Sequence, residues 1–110
     1  MQIAILSFFH EFAVRFEKRD NVFEVEEGKF LSPRLDSNGL IPVPTTDSSS
    51  GELLMHGYMN AEALKKTIET KEACYWSRTK KALWHKGKPS GFVQKVIDLR
   101  IDDDQDALWM

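Results

Sequence analysis

Apolar residues recur every three or four positions in two stretches of the chain. This spacing is typical of an amphipathic helix, and it predicts one helix over residues 3–16 and another over residues 61–70. Asn60 stands directly before the second stretch, where its side chain can accept a hydrogen bond from the first turn. We expect the second helix to pack on a core through its apolar stripe, which consists of Ala61, Leu64 and Ile68.

Short apolar runs between turn-forming residues predict strands. We expect them at residues 22–25, 40–44, 52–59, 73–77 and 92–101. The second and third runs flank the polar, Gly-containing stretch 47–51 and therefore predict a β-hairpin. Pro42 and Pro44 lack a backbone N–H group, which places their strand at the edge of a sheet. Residues 31–39 carry Pro33 and an Asn-Gly pair and are predicted to form a loop.

The last four residues, Ala107-Leu108-Trp109-Met110, begin what looks like a further apolar strand and then stop. A natural chain seldom ends in the middle of a strand. We therefore expect the sequence to be a truncated form or a fragment of a longer open reading frame.

Composition adds three limits to this picture. With 110 residues and 42% apolar residues the chain fits one small domain, whose modest buried surface leaves room for stabilisation by a partner subunit or bound metals. A net charge of -2 gives no global basic field for nucleic acid or an anionic membrane. The single cysteine, Cys74, cannot form an internal disulfide, and no secretion signal or membrane-length apolar run is present, so we expect a soluble cytoplasmic protein.

Four aspartates lie within the five-residue run Asp102-Asp103-Asp104-Gln105-Asp106. If the backbone is extended here, Asp102, Asp104 and Asp106 share one face and Asp103 points to the other. Three crowded carboxylates repel one another, and a hard cation such as Mg²⁺ would relieve that repulsion. The alternative is a solvated acidic turn. An EF-hand is excluded, because the run lacks the glycine at its sixth position.

Residues 75–91 combine five cationic side chains with hydroxyl groups, two glycines and two tryptophans. These are the components of a phosphate-binding loop with an aromatic surface for a base. A solvated cationic hairpin with structural tryptophans is the alternative, and the residue order excludes a Walker loop. The three histidines, His10, His56 and His85, show no ligand spacing and are interpreted as surface or packing residues.

Several segments, taken in order, resemble the phosphoribosyl-AMP cyclohydrolase family. They are Asn38-Gly39-Leu40-Ile41-Pro42, Gly51-Glu52-Leu53-Leu54-Met55, Tyr58-Met59-Asn60, Glu62-Ala63-Leu64, Tyr75-Trp76-Ser77-Arg78, Leu83-Trp84-His85-Lys86-Gly87, Ser90-Gly91 with Gln94, and residues 102–108. Each piece is weak alone, but the ordered set is specific. The resemblance divides the chain into an N-terminal helical extension, residues 1–23, and a cyclohydrolase-like domain, residues 24–110, which we expect to be truncated at its C-terminus.

The resemblance implies a cytoplasmic homodimer of α+β, largely antiparallel architecture, with active sites where the subunits meet. It implies an enzyme of histidine biosynthesis that uses zinc and magnesium to add water across the N1–C6 bond of the purine ring of phosphoribosyl-AMP. The family's magnesium ligands match Asp102, Asp104 and Asp106. From chemistry and position, we expect Arg78, Lys86 and Ser90 to contact phosphate and Trp84 to stack on the base.

Two positions depart from the family pattern. Asp103 stands where the family has a zinc-binding cysteine, so it is the candidate catalytic residue at that position, and two further zinc cysteines do not occur in the sequence. Lys88 stands where the family usually has a glutamate. These departures keep a second reading open, a non-catalytic nucleotide- and Mg²⁺-binding relic without zinc. A plain structural protein would leave the ordered motifs unexplained.

Overall fold

The computed structural model describes residues 3–5 and 32–110 of the chain. In these residues a ten-residue α-helix accompanies antiparallel strands in three small sheets, ordered β1–β6–β7, β2–β3 and β4–β5. This is the α+β architecture that the resemblance implies. The elements in chain order are β1 (Ile3–Ala4), β2 (Ile41–Thr46), β3 (Leu53–Met59), α1 (Ala61–Thr70), β4 (Cys74–Ser77), β5 (Ala82–His85), β6 (Arg100–Ile101) and β7 (Leu108–Trp109).

The predicted hairpin is formed by β2 and β3, with Ile41 opposite Met59 at its open end. Its loop is closed by the Asp47 side chain, whose Oδ1 accepts hydrogen bonds from the N–H groups of Ser49 and Ser50, both at 2.9 Å. Short polar side chains favour such turns because they replace backbone acceptors. Polar residues in the loop and alternating burial along β2 therefore account for the hairpin.

The backbone nitrogens of the two prolines in β2 point away from β3, because proline has no N–H group to donate to a neighbouring strand. On that side, Met110 N–H donates to Pro44 O at 3.1 Å and Thr46 N–H donates to Met110 O at 2.9 Å. Peptide groups two residues apart point to the same side of a strand, so Pro42 also turns its missing donor away from β3. Among the described residues, β3 is the only strand paired with β2 in its sheet, which agrees with the predicted edge position, and the other side of β2 bonds to Met110.

Helix α1 has the predicted bounds. Asn60 Oδ1 accepts a hydrogen bond from Ala63 N–H at 2.8 Å, which caps the first turn. The helix ends at Lys71, which takes a left-handed φ of 59° while its N–H donates to Thr67 O. The Thr67 hydroxyl also accepts from Cys74 N–H at 3.0 Å, and this bond ties the helix to β4. Its buried face consists of Ala63, Leu64, Thr67 and Ile68.

Tyr75, on β4, joins three parts of the structure. Its ring packs so closely on Gly57 of β3 that a Cβ at that glycine would lie 2.7 Å from Tyr75 Cδ1. Its hydroxyl is hydrogen-bonded to Thr45 Oγ1 and to Gln94 Oε1, each at 2.8 Å. Burial raises the pKa of this hydroxyl. Strand β5, which pairs with β4, was expected only under the alternative of a cationic hairpin over residues 75–91, and the structure contains that hairpin.

The long strand predicted over residues 92–101 is wrong except at its end, where β6 forms. The chain instead follows the turn after α1, where Val96 N–H donates to Lys71 O at 2.9 Å. Phe92 and Ile97 are 80% and 72% exposed, so they take no part in the core. The apolar run was therefore not evidence of a buried strand here.

The predicted N-terminal helix is wrong at its first residues, which form β1 and pair antiparallel with β6. The next residue, Ile5, is fully buried and its N–H donates to Leu99 O at 2.7 Å. Residues 6–16 of that predicted helix, and the strand predicted at residues 22–25, lie outside the described residues.

The core is formed where the β2–β3 hairpin, α1, β4 and the β1–β6–β7 sheet meet. Its largest fully buried apolar side chains are Ile5, Ile41, Met59, Leu64, Tyr75, Leu99, Ile101 and Leu108. In the part of the chain that the structure describes, no helix has both the length and the apolar character needed to cross a membrane.

Candidate functional site

The aspartate run forms a tight turn between β6 and β7, here called the acidic turn (residues 102–106). Asp102, Asp104 and Asp106 are half-buried, and each offers a carboxylate oxygen such that all three oxygens lie within 4.8 Å of one another. The sequence analysis predicted this grouping but gave a wrong reason. The backbone is not extended, and it is the turn that brings alternate residues together.

Asp102 closes the acidic turn through its side chain and its backbone. Its Oδ1 accepts hydrogen bonds from Asp106 N–H at 3.0 Å and Ala107 N–H at 3.2 Å. Its carbonyl oxygen accepts from Gln105 N–H at 3.0 Å. An aspartate that accepts nearby N–H groups favours a turn over a strand. The same carboxylate therefore shapes the turn and contributes to the group of three.

The Asp106 carboxyl has its pKa raised to about 6, chiefly by a hydrogen bond to Asp104. Partial burial contributes next, followed by the hydrogen bond to Asp102 and the negative charges of both neighbours. Crowded carboxylates hold a proton because their charges repel, and a divalent cation can take the place of that proton. Three oxygen ligands at this spacing fit a hard cation such as Mg²⁺.

The zinc site that the resemblance implies does not fit the residues present. A three-thiolate site needs cysteines, and the sequence has only Cys74, which is buried on β4. Burial raises the pKa of its thiol, which disfavours the thiolate that binds metal. Asp103 is exposed in the acidic turn. Across the described ranges, the three aspartates form the only group of three or more metal-binding side chains.

The cationic segment forms the β4–β5 hairpin and the glycine-containing loop after it. Lys86 Nζ lies 5.3 Å from the centroid of the Trp84 ring, and the Trp84 and Tyr75 rings are 5.8 Å apart. Lys86 N–H donates to Ala73 O at 3.0 Å, which fixes the start of the loop. Two of the predicted substrate-binding residues, Trp84 and Lys86, are therefore in contact, and the tryptophan ring is partly exposed.

The other two predicted contacts lie elsewhere on the same segment. Arg78 stands at the tip of the hairpin, with its guanidinium carbon 4.1 Å from the centroid of the Tyr58 ring. Ser90 lies in the glycine-containing loop, where its Oγ accepts from Phe92 N–H at 3.3 Å. The four residues of β5 separate the tip from that loop by roughly 13 Å. Arg78 is therefore at the opposite end of the hairpin from Lys86.

The acidic turn and the cationic hairpin belong to different sheets of the structure. The turn joins β6 and β7, whereas the hairpin consists of β4 and β5. The β2–β3 hairpin links them, because Met110 bonds to β2 and Tyr75 of β4 packs on Gly57 of β3. The two halves of the predicted site are therefore carried by separate elements.

His85, the last residue of β5, contacts a carboxylate that the sequence did not predict as its partner. His85 Nε2 lies 2.7 Å from Glu72 Oε1, and the other ring nitrogen, Nδ1, is buried with no hydrogen-bond partner in the described residues. The sequence offered no signal for the pair, because its members are 13 residues apart and meet only after β4 and β5 align. The interpretation of His85 as a packing residue fits its partial burial.

A cleft of about 570 Å³ lies between the β2–β3 loop and the segment that precedes β6. None of the predicted site residues lines it. Three of its apolar lining residues, Leu54, Ile97 and Trp109, are largely exposed. Trp109 Nε1 donates to Thr46 Oγ1 at 2.9 Å on one wall.

Comparison with known proteins gives consistent results. A family model described as phosphoribosyl-AMP cyclohydrolase matches residues 55–110, which include the cationic hairpin and the acidic turn. The phosphoribosyl-AMP cyclohydrolase of Rhodopseudomonas palustris strain BisA53 is 55% identical over 87 residues, covering 79% of this chain and 59% of the relative. The enzyme of the same name from Brucella canis is 56% identical over 86 residues, covering 78% and 62%. The chain thus spans about three fifths of the length of these relatives.

Proposed function

This chain belongs to the phosphoribosyl-AMP cyclohydrolase family, and we propose that it serves to hydrolyse the purine ring of 1-(5-phosphoribosyl)-AMP in histidine biosynthesis. In this reaction water adds at C6 and the N1–C6 bond breaks. The observation that carries the proposal is that the family match extends over the acidic turn, whose three carboxylates converge. We further propose that the protein works in the cytoplasm.

Mg²⁺ is the cofactor we propose for the acidic turn, with Asp102, Asp104 and Asp106 as its ligands. When bound, the ion supplies positive charge that neutralises the carboxylates and helps to orient an anionic substrate. The three aspartates hold it through hard oxygen atoms, and Asp102 is already fixed by its bonds to Asp106 N–H and Ala107 N–H. Asp103 remains the candidate catalytic residue at the family's zinc-cysteine position.

The cationic hairpin is proposed to hold the phosphorylated nucleotide. Trp84 offers a partly exposed ring for stacking on the purine, and Lys86, held over that ring, is suited to contact a phosphate. Ser90 offers a hydroxyl in the loop that follows. Arg78, at the tip of the hairpin, remains the third candidate phosphate contact, and its guanidinium carbon lies 4.1 Å from the centroid of the Tyr58 ring.

A homodimer is proposed because one chain carries the two halves of the site on separate sheets. In a dimer, the hairpin of one copy can face the acidic turn of its partner. Exposed apolar side chains of Leu54, Ile97 and Trp109 around the cleft support an interface, since exposed apolar surface of this kind often marks one.

A second candidate function is a nucleotide- and Mg²⁺-binding protein without turnover. The specific observation in its favour is Asp103, a harder oxygen ligand where the family has a thiolate. In this candidate the acidic turn binds Mg²⁺ and the cationic hairpin binds the nucleotide, but the purine ring is not opened.

Turnover of phosphoribosyl-AMP with Mg²⁺, followed by the ultraviolet absorbance change on ring opening, tests both candidates. We expect Asp104→Asn to lower turnover by more than about 100-fold, because loss of an outer partner alone costs up to about that factor. Glu69→Gln is the matched control, since Glu69 is exposed on α1 and lies outside both the acidic turn and the cleft; its turnover should equal that of the unchanged chain.

Turnover in the unchanged chain would refute the non-catalytic candidate. Asp103→Cys restores the family's soft sulfur at this position and should raise that turnover if the harder ligand limits it. Equal turnover of Asp104→Asn and the unchanged chain would refute the assignment of the acidic turn.

A further inference from the structure

Gln105 differs from every other residue of the acidic turn because its side chain is fully buried. The four aspartates around it are half-buried or exposed. Gln105 also has a left-handed backbone, with φ of 60°. For a residue other than glycine, this conformation costs about 1–2 kcal/mol, and the surrounding contacts must offset it.

The contacts that hold Gln105 come from a distant part of the chain. Its side-chain Oε1 accepts a hydrogen bond from Ser32 N–H at 2.6 Å, across 73 positions of sequence. Its carbonyl oxygen accepts from Arg34 N–H, also at 2.6 Å. Its own N–H donates to Asp102 O within the turn. Ser32 and Arg34 therefore fix the turn at Gln105 by two hydrogen bonds, one to its side chain and one to its backbone carbonyl oxygen.

These hydrogen bonds directly affect the candidate metal ligands. Gln105 lies between Asp104 and Asp106 in the chain. Its position therefore determines the position of the backbone from which both carboxylate side chains extend. The carboxylates repel one another when no cation is bound, and that repulsion tends to spread the turn. A buried hydrogen bond to the rest of the fold opposes the spreading before any cation arrives. Ligands held in place in this way bind with a smaller loss of conformational entropy.

We propose that Gln105 is a positioning residue for the metal site, whose buried amide anchors the acidic turn to residues 32–34 and keeps the three aspartates converged. The inference rests on the proposed function in one respect, namely that the acidic turn binds a divalent cation. Gln105 itself touches neither the cation nor the substrate.

Mn²⁺, used as a probe for Mg²⁺ and followed by the electron paramagnetic resonance signal of the free ion, tests the inference with the full chain. Gln105→Met keeps side-chain length and removes the acceptor. We expect it to weaken Mn²⁺ binding by about tenfold or more, the usual effect of losing a group that orients metal ligands. Circular dichroism of the same samples shows whether the variant is folded.

Gln94→Met is the matched control. Gln94 is partly buried and, like the fully buried Gln105, accepts a hydrogen bond through Oε1, in this case from Tyr75, away from the acidic turn. It should lose stability and keep its Mn²⁺ affinity. Ser32→Pro removes the N–H group that Gln105 Oε1 accepts and leaves the acidic turn unchanged, so it should weaken Mn²⁺ binding as Gln105→Met does.

The outcomes separate the inference from the function on which it rests. If the unchanged chain binds no Mn²⁺, the proposed metal site fails and the inference with it. If the unchanged chain binds Mn²⁺ and folded Gln105→Met binds it equally well, the inference alone is overturned. Should Gln105→Met not fold, Gln105→Asn decides, because asparagine suits the left-handed backbone but is too short to reach Ser32. Full affinity in Gln105→Asn would likewise overturn the inference.

Discussion

At the residue scale, the Asp106 carboxyl, which we propose as a Mg²⁺ ligand, opposes folding of the cation-free chain. Its pKa is about 6 in the folded chain against an ordinary value of 3.8. The folded protein therefore holds this proton more tightly than the unfolded chain does, so the favourable contribution is present below pH 3.8 and is lost as the pH rises to about 6. Above that pH the ionised carboxyl adds repulsion to the turn.

Asp106→Asn should accordingly raise the melting temperature of the cation-free protein, by an amount that grows from about pH 4 to pH 6 and then stays level. Added Mg²⁺ should remove this advantage, because it stabilises only the protein with its full ligand set. Thermal melts in EDTA and in Mg²⁺ at several pH values measure both effects. A melting-temperature difference between Asp106→Asn and the unchanged protein that stays constant from pH 4 to pH 6 would contradict the prediction.

Gly87 lies at the start of the glycine-containing loop that follows β5, where another part of the backbone approaches it closely. A Cβ there would collide with Phe92 O, and the residue has φ of 80°. Gly51 has nearly the same φ, 78°, but open space around its Cβ position. Gly51→Ala should therefore lower the free energy of unfolding by only about 1–2 kcal/mol, the conformational cost alone.

Gly87→Ala carries the same conformational cost and a backbone collision, so we expect a loss of stability clearly larger than that of Gly51→Ala. Urea unfolding of the two variants gives the difference directly. Equal losses would mean that the loop moves aside freely, and the tight packing of Gly87 on Phe92 would not constrain the hairpin.

At the scale of secondary-structure elements, α1 shows what a local signal can specify. Asn60→Ala removes the side-chain acceptor that Ala63 N–H uses at 2.8 Å, and it should lower the free energy of unfolding by about 1 kcal/mol. Asn60→Asp keeps an acceptor and adds a negative charge at the helix N-terminus, so it should retain or slightly raise stability. Urea unfolding measures both, and equal losses in the two variants would argue against the cap.

The elements that could be predicted from the sequence are those with short-range causes. The bounds of α1 followed from its apolar spacing and Asn60, and the β2–β3 hairpin followed from polar turn residues. The strand predicted over residues 92–101 was mostly wrong, because its apolar residues indicated burial whereas Phe92 is largely exposed. Strand β5 was expected only within the alternative of a cationic hairpin, since its residues show no clear alternation and its partner β4 determines its pairing.

The candidate site divides in the same way. The type of residue was enough to predict that three aspartates would converge, although the turn that achieves it is built by Asp102 and not by strand alternation. The anchor at Gln105 could not be predicted, because its partner Ser32 is 73 positions away and contributes only a backbone N–H. The His85 contact with Glu72 depends likewise on strand register.

At the scale of the whole molecule, the separation of the acidic turn from the cationic hairpin leads to a prediction about assembly. We expect a homodimer in solution that buries the exposed apolar residues beside the cleft. Leu54 is 50% exposed and Ile97 is 72% exposed, and both line the cleft. Changing both residues to lysine places like charges in the proposed interface. Burying these charges costs solvation energy, and the charges repel one another, so the double variant should be monomeric.

Light scattering after size-exclusion chromatography gives the mass of each species. Lys65→Glu on the exposed face of α1 is the control for a charge change away from the cleft, and its mass should match that of the unchanged chain. If Leu54→Lys with Ile97→Lys is monomeric but still folded, its turnover becomes decisive. A site completed by the second copy must lose activity on dissociation while Mn²⁺ binding by the acidic turn persists, because the three aspartates all come from one chain. Full activity in the monomer would mean that one chain carries the entire site, and the assignment of the hairpin to the partner's acidic turn would be wrong.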